Sequence, residues 1–159
     1  METQGFKHGI NPGGRLRADI ALTGGTVADV FKVFNGPVAV TAMFMEITEA
    51  VADTACNMSW VFDSDQGGDR TIADTVDIAN AALGDFFWAE LDGTNIVKAT
   101  TSTGLAFNGY QRRDANGVGC ILTPGGIDIV LSATPATGKG TLCVGYKPLA
   151  YKAVIVAGS

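Results

Sequence analysis

The chain has 159 residues, a formal net charge of −5 and only 11 lysine and arginine residues, a length that suits one domain with its own core. The basic residues are few and scattered, which argues against nucleic acid or an anionic membrane as a partner, because phosphate recognition needs clustered positive charge. No secretory signal and no apolar run near the ~18 residues of a membrane span are present. The cysteines, Cys56, Cys120 and Cys143, are too widely spaced for a disulfide framework or zinc site, and are predicted to be buried thiols in a reducing compartment.

Short apolar or alternating runs follow one another along most of the chain. Residues 1–14 carry no strand pattern and are predicted to form an N-terminal arm, with 15–159 as a single domain. Dipeptides such as Asn35-Gly36 and Asp92-Gly93 can supply the positive φ angles that tight turns need. The predicted strands are Arg15–Leu22, Thr26–Phe34, Pro37–Ile47, Asn57–Phe62, Asp85–Leu91, Asn95–Thr101, Gly104–Gln111, Gly119–Leu122, Gly126–Ala133, Thr141–Tyr146 and Tyr151–Ala157.

One segment departs from this pattern. Thr75–Leu83 reads TVDIANAAL, and its alanine content, with Asp77 as a possible N-cap and Gly84 as a stop, predicts a helix of about two turns. Many short strands with one short helix predict an all-β fold, an antiparallel β-sandwich with the jelly roll as the leading topology.

The stretch SATPATGKGTL, Ser132–Leu142, ends like the phosphate-binding loop of adenylate-kinase-like enzymes. Ala133 and Ala136 stand where that loop needs glycine, because a Cβ there obstructs the approach of the backbone to phosphate. The residues after Thr141 alternate like a strand, so no helix N-terminus faces an anion. The sequence therefore predicts no nucleotide and no other cofactor.

The same stretch has a simpler interpretation. Pro135 and the glycines would form the loop of a hairpin between Ile127–Leu131 and Leu142–Tyr146. Lys139 would then lie at a solvated loop tip.

An acidic segment invites a metal-site hypothesis. Asp63, Asp65, Asp69 and Asp74 fall at positions 1, 3, 7 and 12 of an EF-hand-like spacing, and carboxylates in a tight loop suit Ca²⁺. Gly67 stands where Asp or Asn is needed, the last position lacks the bidentate Glu, and flanking helices are missing. A solvated acidic loop is the preferred interpretation, with a calcium site as the alternative.

The sequence predicts no catalytic residue. His8 is the only histidine and lies in the predicted arm, so no Ser/His/Asp relay can readily be assembled. The aromatic residues Trp60, Phe62 and 86–88 are predicted to fill the core. One face of 86–88 must nevertheless point away from it, and an aromatic residue outside the core favours an interface.

The segments Phe34–Val51, Leu91–Gly104 and Leu122–Ala157 together resemble small virion proteins of tailed bacteriophages. In this chain Gly36-Pro37-Val38 begins a strand that leads into Met45-Glu-Ile-Thr48 and looks like that group's G-x-P-V strand. The likeness continues in a P-G-G strand, a Thr/Gly-rich hairpin, a Y-x-P-L corner and a final V-x-V-A strand. The resemblance implies a capsid decoration, or cement, protein made in the bacterial cytoplasm, which sits on the outer capsid surface as a small oligomer and bridges major capsid subunits.

This resemblance implies the major capsid protein and further copies of the chain as partners, with a homotrimer favoured over a homodimer. The candidate contact residues are Phe6, Lys7, Ile10, Arg15, Arg17 and Trp88. Another virion role, in a head fibre, neck or tail, stays open. So does a carbohydrate-binding β-sandwich, which would use exposed aromatic residues such as Trp88 or Tyr110.

Overall fold

The structure is a computed structural model that describes residues 14–91, 96–99 and 119–158. Within these ranges the chain forms eleven strands and one 3₁₀ turn, Leu22–Gly24. The strands are β1 (Gly14–Ala21), β2 (Val27–Phe34), β3 (Val38–Glu49), β4 (Asn57–Ser64), β5 (Gly67–Asp77), β6 (Phe86–Ala89), β7 (Ile96–Ala99), β8 (Cys120–Leu122), β9 (Gly125–Leu131), β10 (Lys139–Pro148) and β11 (Val154–Ala157).

The strands pair into two antiparallel sheets that pack as a sandwich. Sheet A has the order β1-β10-β3-β6-β7, with β8 also paired to β3, and sheet B has the order β11-β2-β9-β4-β5. The series β1-β10-β3-β6 faces the series β2-β9-β4-β5, so successive strands cross repeatedly between the sheets. This is the strand order of a jelly roll, with β7, β8 and β11 as additions. The predicted all-β sandwich with jelly-roll topology is confirmed.

The core lies between the inner faces of the two sheets. In β9, Ile127, Ile129 and Leu131 point inward and are buried, whereas Asp128 points outward, as the two-residue period of a strand requires. From sheet B, Trp60 and Phe31 are fully buried, and Phe87 enters the core from sheet A.

Strand β3 keeps its apolar residues inward by means of a bulge. Tyr146 pairs with Val40 and Gly145 pairs with Ala42, so Thr41 is an extra residue without a partner on β10. An extra residue reverses the alternation of the residues that follow it. Val38 and Val40 before the bulge, and Met43, Met45 and Ile47 after it, are therefore all buried.

The predicted helix at Thr75–Leu83 is wrong. Residues up to Asp77 belong to β5, which pairs with β4, and the remainder forms turns. The Asp77 carboxylate accepts a hydrogen bond from the Ala79 N–H at 2.9 Å, and Asn80 adopts a φ of 55°, so the chain turns there instead of continuing a helix. Tertiary pairing with β4 outweighs a weak local helix propensity.

The predicted hairpin between Ile127–Leu131 and Leu142–Tyr146 is also wrong. The first segment lies in β9 of sheet B and the second lies in β10 of sheet A. Residues 132–138 therefore cross from one sheet to the other. Adjacent strands in sequence do not pair here because the jelly roll places β3 and β1 beside β10.

Two further expectations concern one more strand and a membrane span. The predicted strand Gly104–Gln111 lies outside the described residues. Among the residues that the structure does describe, no helix is both long and apolar enough to cross a membrane.

Candidate interaction surfaces

The outer face of sheet A carries aromatic side chains next to an arginine. One row across the sheet follows the strand register from Arg17 to Cys143 to Phe44 to Trp88. Phe86 lies in the next row, opposite Glu46. Arg17 is exposed, while Phe44, Phe86 and Trp88 are half-buried. We call Arg17, Phe44, Phe86 and Trp88 the aromatic face.

The aromatic face is held together by contacts among its own side chains. The rings of Phe44 and Phe86 have centroids 6.1 Å apart and a tilt of 41°, a favourable arrangement for two aromatic rings. A guanidinium nitrogen of Arg17 lies 3.9 Å from a carboxylate oxygen of Glu46. The indole Nε1 of Trp88 is buried without a hydrogen-bond partner among the described residues, as is that of Trp60 in the core.

The structure brings together part of the predicted contact set. Arg15, Arg17 and Trp88 all lie on the outward side of sheet A, Arg15 and Arg17 on the edge strand β1 and Trp88 on β6. Phe87, between the two half-buried residues Phe86 and Trp88, is fully buried, so the expected division of 86–88 between core and surface is confirmed. Phe6, Lys7, Ile10, His8 and Tyr110 lie outside the described residues.

The outer face of sheet B is acidic. Asp29, Asp63, Asp69 and Asp128 interact there, and Lys32 lies opposite Gly126 in the same row as Asp63. Lys32 Nζ is 2.8 Å from an Asp29 oxygen, and the Asp29 N–H donates to Asp128 at 2.6 Å. Partial desolvation, followed by the nearby carboxylates of Asp69 and Asp128, raises the pKa of Asp63.

The predicted calcium loop is a β-hairpin in the structure. Asp63 lies near the end of β4, Asp65 lies in the turn, and Asp69 and Asp74 lie on β5. Strand pairing places Asp74 well along β5 from the turn, so the four carboxylates do not surround one point. The described residues contain no group of three or more His, Cys, Asp or Glu side chains that could hold a metal ion.

A third surface, which the sequence reasoning missed, lies where β2 ends and β11 forms an edge of sheet B. Phe34, Leu149, Tyr151 and Val156 are exposed by 44%, 50%, 64% and 37%, and they are four of the six exposed large hydrophobic residues in the described chain. We call these four residues the C-terminal patch. Their clustering depends on the folding together of residues that are far apart in sequence, so only the Y-x-P-L corner and the final strand could have indicated it.

Two turns fix the C-terminal patch. The Leu149 N–H donates to the Pro37 carbonyl at 3.0 Å, and Phe34 pairs with Val154. Gly36, with a φ of 131°, lies so close to the second turn that a Cβ there would come within 2.8 Å of the Ala150 Cβ. The turn after β2 and the turn before β11 therefore pack as one unit.

A cleft of about 540 Å³ opens between the β4–β5 hairpin and β8. Phe62, Leu91 and Leu122 contribute apolar walls, and Arg70 and Thr123 contribute polar groups. Burial raises the pKa of the Cys120 thiol in this wall to about 11. All three cysteines are free, and Cys56 and Cys143 are buried, which confirms their prediction as unpaired thiols and, for these two, as buried residues.

The phosphate-loop-like stretch leads into a strand. Lys139 begins β10, where it is exposed and lies 2.7 Å from a carboxylate oxygen of Glu49. That ion pair raises the pKa of Lys139 and lowers the pKa of Glu49. The helix N-terminus that would face a phosphate after this loop is replaced by a strand that runs through the centre of sheet A.

Comparison with known proteins does not assign the chain to a family. No protein-family model matches it, and no curated protein matches it. A solved structure titled "Structure of infectious bursal disease virus Gx strain" aligns with a TM-score of 0.33 and 8% sequence identity, over 92% of this chain and 39% of that chain. The chain thus spans well under half the length of that viral chain, and at this TM-score the alignment does not establish a shared fold.

Proposed function

We propose that the chain is a structural virion protein that decorates the outer surface of a capsid and bridges neighbouring major capsid subunits, without catalysis. The observation that carries the proposal is the aromatic face, where Trp88, Phe86 and Arg17 lie on the outward side of a sheet. The jelly-roll sandwich and the resemblance to phage decoration proteins agree with this role.

The residue types of the aromatic face suit an adhesive surface. Tryptophan and arginine dominate the binding energy of protein interfaces when they are desolvated at the centre of a contact. Trp88 offers a large aromatic ring that is half-buried on the outer face of sheet A. Its indole Nε1 is itself buried, so a capsid subunit would contact the accessible part of the ring.

The position of β1 connects this face to the predicted arm. Gly14 pairs with Tyr146 at the start of β1, and Arg15 and Arg17 follow on the outward side. A capsid segment bound on the aromatic face would therefore lie near the point where residues 1–13 join the domain. The arm and the face can act on one partner, and basic Arg15 and Arg17 suit an acidic capsid patch.

The attachment needs only modest area at each contact. Interfaces of roughly 1,200 Å² or less are weak when they act singly. A homo-oligomer that engages several capsid subunits gains affinity from effective concentration, because the second contact becomes intramolecular. We propose a homotrimer in preference to a homodimer. Native mass spectrometry of the purified protein would measure the oligomeric state.

The test is saturable co-sedimentation with undecorated capsids of the virus that encodes the chain. The wild-type protein should bind up to a fixed occupancy, and Trp88→Ser combined with Arg17→Glu should weaken binding by at least about tenfold. Leu83→Ser is the matched control. Leu83 is 67% exposed but lies outside the sheet, in the turn that bonds to Ile47 through Gly84.

Each outcome of this experiment decides something. Failure of the wild-type protein to bind capsids while it binds tails, necks or fibres would move it to another position in the virion. Equal binding by the double variant and the wild type would refute the aromatic face as the contact. Selective glycan binding that is lost on Trp88→Ala would favour the carbohydrate-binding alternative.

A further inference from the structure

The edge strands of the two sheets differ in how they are protected. An exposed strand edge offers unpaired N–H and C=O groups to another chain, and proteins usually block it with charged residues or bulges. On β1 the outward residues are Arg15, Arg17 and Asp19. On β5 the sequence includes Asp69, Arg70 and Asp74, and its pairing with β4 is interrupted by bulges.

The edge strand β11 has no such protection. Its sequence is Val-Ile-Val-Ala, and among the residues that the structure describes it pairs with β2 alone. Ile155 faces the core, while Val154 and Val156 lie on the outer face beside Phe34 and Lys32. The short strand β8 is also uncharged, but of the exposed large hydrophobic residues only Ile121 lies on it.

The C-terminal patch extends this uncharged edge with apolar surface. Phe34 continues the outer row of Val154, and Leu149 and Tyr151 belong to the turn that leads into β11. An added strand could therefore bond its main chain to β11 and pack its outward side chains against Val154 and Val156, with Phe34 one strand further in. Main-chain bonds supply affinity in this mode, and alternate side chains supply specificity.

The charges around the patch are positive, in a chain whose net charge is −5. Lys147 and Lys152 are exposed, and neither forms an ion pair with a described carboxylate. Lys152 Nζ lies 5.3 Å from the centre of the Tyr151 ring, a cation–π distance that holds the ammonium group over the patch. A partner with a carboxylate beside its apolar residues would complement these two lysines.

We infer that β11 and the C-terminal patch form a strand-addition site for an extended segment of a different protein, with alternating apolar residues and a carboxylate near one end. This inference is independent of the aromatic face, which lies on the other sheet. If both surfaces act, one subunit can hold two partners at once.

The exposed area argues against a second copy of the chain as the occupant. With aromatic side chains of about 200 Å² each, the four residues of the patch expose on the order of 350 Å² per copy, or roughly 700 Å² for a symmetric pair. Stable dimers bury about 1,200–2,000 Å² or more. An added strand does not depend on this apolar area alone, because its main-chain bonds to β11 also supply affinity.

In the experiment, the purified protein is titrated with a capped peptide of alternating threonine and valine that carries glutamates at both ends. Amide hydrogen exchange of the protein is then measured with and without the peptide. We expect protection of those amide hydrogens of Val154–Ala157 that do not bond to β2. A peptide with lysines in place of the glutamates should bind about tenfold more weakly.

Variants separate the apolar and the charged contributions. Tyr151→Ser and Val156→Ser should each weaken the binding of both peptides by about tenfold, whereas Leu83→Ser should change the binding of neither. Lys147→Glu or Lys152→Glu should reverse the preference between the two peptides. Two lysine variants are used so that loss of folding in one leaves the other to decide.

Three results would overturn the inference: no protection in β11, equal affinity for both peptides, or concentration-dependent dimers that the peptide dissolves. The last result would identify a second copy as the occupant. The experiment uses isolated protein and peptides, so a failure of capsid attachment would leave the inference about β11 standing.

Discussion

The outer faces of the two sheets differ although their inner faces are alike. Both inner faces carry buried aliphatic and aromatic residues such as Phe87 and Trp60. The outer face of sheet A adds Phe44, Phe86 and Trp88, whereas the outer face of sheet B adds four interacting carboxylates and one lysine. Strand alternation alone would make both outer faces polar. Sheet A departs from this pattern at its aromatic face, and sheet B departs from it at the β11 edge, where Phe34 and Val156 are exposed.

The difference indicates where the protein meets other molecules. A row of carboxylates is well solvated and resists contact with another acidic surface. Aromatic rings that are only half-buried keep apolar area in contact with water, and this area becomes favourable when a partner covers it. The difference therefore supports the proposal that sheet A contacts a partner, whereas sheet B, except at the β11 edge, has the composition of a surface that faces water.

The largest expected effect is a loss of stability, which should distinguish a tryptophan on the inner face from a tryptophan on the aromatic face. Trp60 is fully buried on β4, so Trp60→Ala should lower the free energy of unfolding by about 3–5 kcal/mol. Trp88 is half-buried on the outer face, so Trp88→Ala should cost only about 1 kcal/mol. Urea denaturation followed by circular dichroism measures both.

Leu83→Ala provides the reference for an exposed hydrophobic residue, with an expected change within about 0.5 kcal/mol. Equal losses for Trp60→Ala and Trp88→Ala would mean that the side chain of Trp88 belongs to the core. The assignment of an outer face to sheet A would then be wrong.

A second prediction concerns the inner side of sheet A at alkaline pH. Cys120 lies opposite Val40, and burial raises the pKa of its thiol from 9.0 to about 11. Between these values the unfolded chain ionises while the folded chain stays protonated, so stability falls as the pH rises. A shift of about two pH units corresponds to about 2–3 kcal/mol.

Cys120→Val keeps a small apolar side chain and removes this ionisation. The stability difference between wild type and variant, measured by urea denaturation from pH 7 to pH 11, should move in favour of the variant above pH 9. A difference that is independent of pH would contradict the burial of the thiol.

The sequence predicted the architecture better than the pairing. The inward alternation of β9 and β10 and the turn residues between strands identified a sandwich with jelly-roll topology. The hairpin between Ile127–Leu131 and Leu142–Tyr146 failed because the jelly roll places β9 in sheet B and β10 in sheet A. The helix at Thr75–Leu83 failed because pairing with β4 outweighed local propensity.

Surface sites were predicted only where one short segment contained the signal. The split of 86–88 between core and surface follows from the period of a strand, so Trp88 could be found. The C-terminal patch unites the ends of β2 and β11, more than 100 residues apart in sequence, and no local pattern reveals such a cluster. The EF-hand-like spacing of Asp63, Asp65, Asp69 and Asp74 does not make a calcium loop, because these residues are spread along the β4–β5 hairpin.

A smaller effect should appear on the acidic face of sheet B. The pKa of Asp63 is raised by desolvation and by the neighbouring carboxylates, so the protonated form is favoured in the folded protein. The stabilising contribution is therefore present below the unfolded pKa of 3.8 and is lost as the pH rises through the folded value. At neutral pH Asp63→Asn should raise the melting temperature, and at pH 3 the two proteins should melt nearly together.

Salt gives an internal check on this prediction. High salt screens the repulsion from Asp69 and Asp128 but leaves the desolvation of Asp63, so the difference at neutral pH should shrink without vanishing. An advantage of Asp63→Asn that grows toward acid pH would contradict the carboxylate cluster.

The smallest expected effect belongs to Lys139. This residue begins β10, where the chain has just crossed from sheet B to sheet A. Its partner Glu49 is on the neighbouring strand, 2.7 Å away, and both side chains are exposed, so water and salt screen their attraction. Lys139→Ala should shift the melting temperature by no more than about 2 °C and should leave capsid attachment and peptide binding unchanged. Thermal denaturation at low and high salt, with Glu49→Gln as the matched variant, measures the ion pair. A loss of folding in Lys139→Ala alone would show that the crossing from sheet B to sheet A depends on this lysine, because Glu49→Gln breaks the same ion pair but leaves the crossing segment intact.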